Sequence, residues 1–458
     1  MAQLIKPVDA FETAGAGGRA PFMRGVLLAL FILLLADEMF GWGLGLGTGL
    51  SVKNALLYLL LVMMLVDAAL QGRKATLEPA AVQGPFLLLI AWATCSWITN
   101  SVLDFGVGYQ PLQHFIALKG RLVDHFLFFI AFYLAVRTRE DAFWVIRWII
   151  GFLIVANLVT VIDAYDVPDL GIISHTVNGR VNGPLGEPNE YGAFVAMFLP
   201  ALASLIPGTT GWRRWFYLFG LVLFTWVLLL TVSRGAFAGL IVGCALAAVI
   251  LRRHLNARVV GTLALAGVAL LGMVLVLLGE EFIDLLGQRT ISAGARGDAY
   301  EMSSGRTWIW KGALMLQLER PISVLLGYGW STFRNLNPLS SHNVFLSYLF
   351  ELGLLGLLLF LLLLRGVVVA AARSMDRPEN RALAAGVVVG LLSFATASFF
   401  VVPNETWYFV WAYIGVALRA VAANPEPVVA PLPLSARFAA VAQQPERRRR
   451  GRMDRLRE

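Results

Sequence analysis

Residues 342–365 read HNVFLSYLFELGLLGLLLFLLLLR, and this stretch decides the fold class of the chain. A run of about 20 apolar residues forms a helix long enough to cross the hydrocarbon core of a bilayer, which is ~30 Å thick. Similar runs recur along the 458 residues, of which 58% are hydrophobic and only 14% are charged. This composition excludes a soluble globular protein and predicts an all-α polytopic membrane protein.

The apolar runs predict about twelve transmembrane helices. Residues 1–23, which precede the first span, are predicted to form a disordered terminus, and residues 423–458 a disordered, basic tail. The longest polar stretch, residues 280–341, separates spans nine and ten and is predicted to be one large loop. It is predicted to contain a short helix over about 305–318 that Ser303 or Ser304 caps. The predicted spans, which together make up a membrane domain over 24–422, are 24–40, 52–70, 82–99, 122–137, 143–163, 190–207, 215–232, 235–251, 259–279, 342–365, 382–401 and 405–422.

The distribution of basic residues predicts the orientation of these spans. With a cytoplasmic N-terminus, most of the 37 lysines and arginines fall in cytoplasmic segments, as membrane proteins prefer. Both termini are therefore predicted to be cytoplasmic, and the 280–341 loop faces the opposite side. The net charge of +8 then reflects topology rather than nucleic-acid binding. The run Arg447–Arg450 in the tail is predicted to contact anionic lipid headgroups.

Three basic residues are predicted to lie at helix N-termini on the outer face: Arg234, Arg306 and His342. A cation at a helix N-terminus is unfavourable by about 0.3–1 kcal/mol, because that end of the helix dipole is already positive. Three such placements on one face indicate that an anion balances them. Arginine forks and exposed amide groups together suit a phosphate or pyrophosphate group. We therefore predict an anion-binding site that contains all three residues.

His342 has a chemical role of its own in this prediction. A histidine ordinarily titrates near pH 6.5, and a helix N-terminus and nearby arginines both disfavour its protonated form. A neutral imidazole beside an anion site can accept the proton of an attacking hydroxyl.

Arg180, Glu187 and Asn189 are secondary candidates, because they lie in another outer loop, RVNGPLGEPNEY over residues 180–191. The candidate residues also have structural interpretations: a cation that reaches lipid phosphates, a solvated loop charge, an interface residue bonded to a serine, or a helix cap.

No recognisable metal or nucleotide motif accompanies these residues. The outer loops lack an Asp-x-Asp pair, and the chain lacks the HExxH, CxxC and P-loop patterns. Cys95 and Cys244 both fall inside predicted spans, so neither a disulfide framework nor a cysteine metal site is predicted. We therefore predict a site that works without a metal or cofactor.

The chain resembles the superfamily of O-antigen ligases and polysaccharide polymerases, which are glycosyltransferases of the bacterial inner membrane. Twelve spans with one long outer loop before the tenth match the family pattern. The motifs that carry the resemblance lie within residues 180–365. They are Ser233-Arg234-Gly235-Ala236, Gly305-Arg306 with Trp310, the stretch GYGWSTF over 327–333, and His342-Asn343 followed after nine residues by Gly353.

This resemblance implies a GT-C type membrane fold and a metal-independent, inverting reaction at the periplasmic face. It implies a glycan donor carried on undecaprenyl pyrophosphate. Arg234 and Arg306 match the pyrophosphate-binding arginines of the family, and His342 matches its catalytic histidine. Ligases transfer the glycan to lipid A–core and polymerases to another lipid-linked repeat. The shared motifs leave the choice of acceptor open.

Two other classes of function compete with this one. A flippase for lipid-linked oligosaccharides would place its charged groups near mid-membrane, where both sides can reach them. A non-catalytic scaffold for polysaccharide assembly is the third alternative. The candidate residues cluster at one interface, which favours chemistry on one side of the membrane.

Overall fold

The computed structural model of the protein describes residues 19–70, 79–103, 108–165, 176–177, 180–254, 305–337, 339–404 and 406–422. The ninth predicted span, residues 280–304 of the predicted loop, and the tail over 423–458 lie outside the described residues. Most of the described residues are helical, as expected for an all-α membrane protein.

Helices of very different length alternate with short turns along the described ranges. In chain order the helices are α1 Arg19–Phe40, α2 Val52–Leu70, α3 Ala80–Leu103, α4 Pro111–Leu118, α5 Asp124–Leu134, α6 Arg139–Ala164, α7 Pro188–Ala203, α8 Gly211–Leu230, α9 Arg234–Ile250, α10 Arg306–Glu319, α11 Pro321–Leu326, α12 Phe333–Leu336, α13 Val344–Ser374, α14 Arg381–Ala397 and α15 Thr406–Ala422. A π-helical turn, Lys119–Val123, joins α4 to α5. Short 3-10 turns lie at Gly183–Leu185 and Pro378–Asn380. Two antiparallel hairpins pair β1 Gly45–Gly47 with β2 Leu50–Ser51, and β3 Thr176–Val177 with β4 Arg180–Val181.

Six helical segments among the described residues are long and apolar enough to cross a membrane. Every predicted span except the ninth coincides with a described helix, but several of these helices are shorter or more polar than that standard, so the total of twelve stays a prediction. Two boundaries differ from expectation. Helix α1 begins at Arg19, inside the predicted terminal tail, and α13 continues to Ser374, beyond the predicted end at 365. The six segments are Val52–Ala69, Ala80–Leu103, Arg139–Ala164, Gly211–Leu230, Val344–Ser374 and Pro378–Ala397.

Helix α14 packs tightly against both α9 and α7 through glycines. A Cβ atom on Gly243 of α9 would lie 2.4 Å from the Ser393 amide nitrogen of α14. A Cβ atom on Gly390 of α14 would lie 2.4 Å from the Met197 carbonyl oxygen of α7. Small residues permit this approach of backbones in membrane helices, where close packing replaces the hydrophobic effect. The contact holds α9, whose first residue is Arg234, against α14.

Helix α13 is broken at Gly353, whose φ of 69° and ψ of −171° are not helical. Such a break frees the carbonyl groups of the preceding turn from their helical partners. Donors from outside the helix bind three of these carbonyl oxygens. The bonds are from the Tyr328 amide to Phe350 at 2.8 Å, from the Gly329 amide to Glu351 at 2.9 Å, and from the Trp92 indole to Leu352 at 2.9 Å.

The segment GYGWSTF over 327–333 therefore docks on the broken turn of α13. The side chain of Glu351 adds two more bonds, because its carboxylate accepts the amides of Ser331 at 2.9 Å and Phe333 at 3.3 Å. A Cβ atom on Gly327 would lie 2.2 Å from the Glu351 carbonyl oxygen. Two motifs that are separated in the sequence thus form one packed unit.

We expect Gly353→Ala to destabilise the protein by about 2–4 kcal/mol, because it combines a positive φ with a collision. The new Cβ atom would lie 2.2 Å from the Leu325 carbonyl oxygen. Gly312→Ala is the matched control, since Gly312 lies in α10 with no atom near its Cβ position. It should be neutral or stabilising by up to about 1 kcal/mol. Thermal unfolding in detergent, followed by tryptophan fluorescence, measures both. Equal unfolding midpoints for the two variants would contradict the close approach of Gly353 to the Leu325 carbonyl group.

Candidate active site

His342 lies two residues before α13 rather than within it. The helix begins at Val344 because the Asn343 side chain caps it and accepts the Leu346 amide at 3.0 Å. The expectation that His342 starts the helix is therefore wrong by two residues. Its φ of 47° is in the left-handed region, which only a few per cent of residues other than glycine occupy. Backbone strain of this kind is concentrated at functional sites.

The surroundings of His342 disfavour its charged form. Burial of the imidazole lowers its pKa below the ordinary value of 6.5, and the positive charges of Arg306 and Arg334 lower it further. The negative charge of Glu187 acts in the opposite direction. The direction agrees with the sequence-based expectation, although burial is the largest cause. The imidazole is therefore uncharged at neutral pH and can accept a proton.

Arg306 is the first residue of α10, as predicted, and it acts on the charge of His342. Gly305 precedes it with a φ of 78° and takes the capping position that Ser303 or Ser304 was expected to fill. Those two serines lie outside the described residues.

A tryptophan one turn after Arg306 attaches α10 to the segment that leads to His342. The indole nitrogen of Trp310 donates to the Ser341 carbonyl oxygen at 2.8 Å. Residues four positions apart share one helix face, so this bond turns the face that carries Arg306 towards His342.

Arg180, Asn189 and Glu187 form a network that joins two helix ends. The Arg180 guanidinium is buried and donates to the Thr231 carbonyl oxygen at 2.8 Å and to the Asn189 side-chain oxygen at 2.9 Å. Asn189 in turn donates to the Glu187 carboxylate at 2.5 Å. The other Glu187 oxygen accepts the Glu190 amide at 2.7 Å and caps α7. These bonds give Arg180 and Glu187 structural roles, and Glu187 also adds a negative charge near His342.

Arg234 is the first residue of α9, directly after the cap Ser233, whose hydroxyl accepts the Ala236 amide at 3.3 Å. It follows the turn at Thr231 to which Arg180 is bonded. The charges that shift the pKa of His342 come from Arg306, Glu187 and Arg334. The structure thus brings Arg306 and Glu187 into the electrostatic range of His342, and Arg234 follows the turn that the Arg180 network holds.

Sequence reasoning missed three charged residues that line a cavity of about 260 Å³ beside His342. They are Arg121 from the π-helical turn, Arg334 from α12 and Glu351 from α13. Ser340 and Ser341 also line the cavity and directly precede the histidine. Arg334 could have been singled out as an arginine that directly follows the GYGWSTF motif. Nothing in the sequence places Arg121 here.

Metal binding finds no support in the described part of the chain. No group of three or more histidine, cysteine or acidic side chains there could hold an ion. A metal-independent reaction stays a prediction.

Comparison with known families identifies the central part of the chain. Residues 219–361 match the family model described as O-antigen ligase. The matched segment contains Arg234, Arg306 and His342, and it confirms the resemblance to the O-antigen ligase superfamily. Comparison with individual curated proteins gives no significant match. The apolar helices and the family match together indicate a membrane protein.

We expect His342 to titrate below pH 6.5 in the intact protein. Arg306→Gln should raise its pKa, because a repelling positive charge is lost, and Glu187→Gln should lower it. Lys311→Gln is the matched control, since Lys311 is an exposed cation of the same helix α10 and should leave the pKa unchanged. NMR of labelled histidine, assigned with His342→Gln, measures these values. A wild-type pKa at or above 6.5 would contradict the predicted lowering.

Proposed function

We propose that the protein is a metal-independent glycosyltransferase that moves a glycan from undecaprenyl pyrophosphate to a sugar hydroxyl. One observation carries this proposal: an uncharged, half-buried His342 lies in the electrostatic range of Arg306, within the segment that matches the O-antigen ligase family. A neutral base beside a cationic group is what such a transfer requires.

The reaction follows from these groups. The His342 imidazole takes the proton of the acceptor hydroxyl as its oxygen attacks the anomeric carbon of the donor sugar. The bond from that carbon to the pyrophosphate oxygen breaks, and undecaprenyl pyrophosphate leaves with the electron pair. Attack from the face opposite the leaving group inverts the anomeric configuration.

Arg234 and Arg306 are proposed to bind the pyrophosphate. Each is the first residue of a helix, α9 and α10 respectively. Both therefore combine a guanidinium fork, which pairs with two phosphate oxygens, with the exposed amides of a helix N-terminus. Arg180 and Asn189 are proposed to position this site rather than to bind the donor, because their polar atoms are engaged in the network around Glu187.

The membrane setting belongs to the same proposal. Basic residues in the short loops support a bacterial inner-membrane protein with both termini in the cytoplasm. The candidate residues then face the periplasm, in a GT-C type domain of about twelve spans over 24–422 with the large loop over 280–341. Residues 1–18 and 423–458 are proposed to be tails, and the basic tail to contact membrane lipids.

The family description favours lipid A–core as the acceptor, which makes the protein an O-antigen ligase. A lipid-linked repeat is the alternative acceptor and would make it a polysaccharide polymerase. Purified protein supplied with each acceptor in turn separates the two. Movement of intact lipid-linked glycan between leaflets, without cleavage, would instead identify a flippase.

We expect His342→Ala to reduce acceptor-dependent release of undecaprenyl pyrophosphate by about 10²–10⁴-fold, the usual contribution of a general base. Arg306→Ala should reduce it by about 10²–10³-fold, because the leaving group loses a charge partner. Lys311→Ala, a cation of the same helix, should keep the wild-type rate, and EDTA should have no effect. Thermal unfolding shows whether each variant is folded. Full turnover by both folded site variants would refute the assignment.

The rate should also depend on pH with a definite sign. A base whose pKa is lowered from 6.5 is neutral at pH 7. It becomes protonated, and can no longer accept a proton, only when the pH falls through its lowered pKa. The rate constant is therefore expected to be level around neutral pH and to fall on acidification below 6.5. A rate that rises on acidification would assign the imidazolium, not the imidazole, to the reaction.

A further inference from the structure

The cavity of about 260 Å³ beside His342 is not lined by the arginines proposed to bind pyrophosphate. Its walls come from α4 and the π-helical turn, from the segment over 331–341, and from the first turns of α13. Ser340 and Ser341 form part of the wall and lead directly to His342. The cavity is therefore a second compartment, lined by the two residues that directly precede the proposed base.

The charge in this compartment is positive. Arg121 and Arg334 line it, and both side chains are exposed. Among the described residues of the lining, Glu351 is the one carboxylate, and its oxygens already accept the amides of Ser331 and Phe333. Arg121 lies close enough to Glu351 for their charges to interact. The cavity thus contains two guanidinium groups and one carboxylate that is already hydrogen-bonded. This excess of positive charge favours an anionic ligand.

The π-helical turn that carries Arg121 is anchored by a buried carboxylate. Asp124 is completely buried and pairs with Lys119 at 2.8 Å. It also accepts hydrogen bonds from Asn54 at 2.5 Å and Tyr58 at 2.6 Å. A π-helical turn inserts one extra residue into a helix and is frequent at functional sites. Here it directs Arg121 into the cavity on a fixed support.

The contact that Arg121 makes inside the cavity is weak. Its guanidinium lies 3.4 Å from the Ser331 hydroxyl, longer than the usual 2.7–3.2 Å of a hydrogen bond between nitrogen and oxygen. A ligand oxygen could replace this contact at little cost.

The size and lining of the cavity suit one sugar ring. A water molecule takes about 30 Å³ in the liquid, so the cavity holds roughly the volume of nine waters. Hydroxyl groups of Ser340 and Ser347 and the amide of Asn335 supply polar partners, and Phe333 supplies an apolar face. Few convergent polar groups beside an aromatic ring are typical of a ligand site.

We propose that this cavity binds the acceptor sugar and that the sugar carries a carboxylate or phosphate group held by Arg121 and Arg334. The inference rests on the proposed function. In an inverting transfer the acceptor approaches from the face opposite the leaving group. The cavity borders His342 through Ser340 and Ser341, whereas the pyrophosphate arginines lie at the starts of α9 and α10. The acceptor hydroxyl would then meet the imidazole at the rim of the cavity.

The test compares matched synthetic glycolipid acceptors that end in glucose, glucuronate or glucose 6-phosphate. Wild-type protein should bind at least one anionic acceptor more tightly than the glucose acceptor and use it with a lower KM. Arg121→Gln and Arg334→Gln should each raise Kd and KM for that acceptor by about 10–100-fold, the value of one charge-assisted hydrogen bond. The KM of the lipid-pyrophosphate donor should not change. Lys311→Gln should alter none of these values.

Each outcome separates the two proposals. Equal binding of neutral and anionic acceptors by the wild type would overturn the acceptor site, and so would a rise in donor KM in the two arginine variants. Calorimetric binding in detergent needs no turnover. Selective binding that Arg121→Gln abolishes, without any transfer, would therefore support the cavity and refute the proposed reaction. Comparison of the glucuronate acceptor with the glucose 6-phosphate acceptor shows whether the cavity binds a carboxylate or a phosphate group.

Discussion

The break of α13 at Gly353 is the constraint on which the site depends. A continuous helix would bond its own carbonyl groups and leave nothing for the segment 327–333 to dock on. Because the helix breaks, three carbonyl oxygens and the Glu351 carboxylate receive donors from that segment and from α3. The docked segment sets the direction of the chain that follows it. That chain carries Arg334, passes through two serines and ends at His342. The position of the proposed base is thus determined by a helix turn that lies beyond it in the sequence.

Electrostatics around His342 is set by elements that are far apart in the sequence. Arg306 comes from α10, Glu187 from the start of α7 and Arg334 from α12, and all three act on the imidazole. Burial disfavours the imidazolium, and the two arginines reinforce that preference. The same positive charges that keep the base neutral would attract an anionic substrate. One arrangement of charge therefore supports both parts of the proposed reaction, namely binding of the anion and removal of the proton.

Local signals in the sequence predicted much of the described fold. Apolar runs located the helices, and Arg234 begins α9 at the helix N-terminus where it was expected. Helix α10 was expected near residues 305–318 and begins at Arg306. The start of α13 was misplaced because Asn343, not a residue before His342, caps it. Arg121 was missed because its place in the site depends on a π-helical turn stabilised by Asp124, and no short-range pattern reports such a turn.

The sequence by itself determined the membrane class, the helical elements, and the candidate status of Arg306 and His342, because hydropathy and helix ends are local properties. It also carried the family resemblance that the match over 219–361 confirms. Only the tertiary structure decided that Arg180, Asn189 and Glu187 form a bonded network, that Arg334 and Glu187 act on His342, and that Arg121 lines a cavity beside it. Several of these relations join residues that are far apart in the sequence, as in the contact of Arg121 with Ser331 across 210 positions. Their distances are set by how helices pack, which no local pattern encodes.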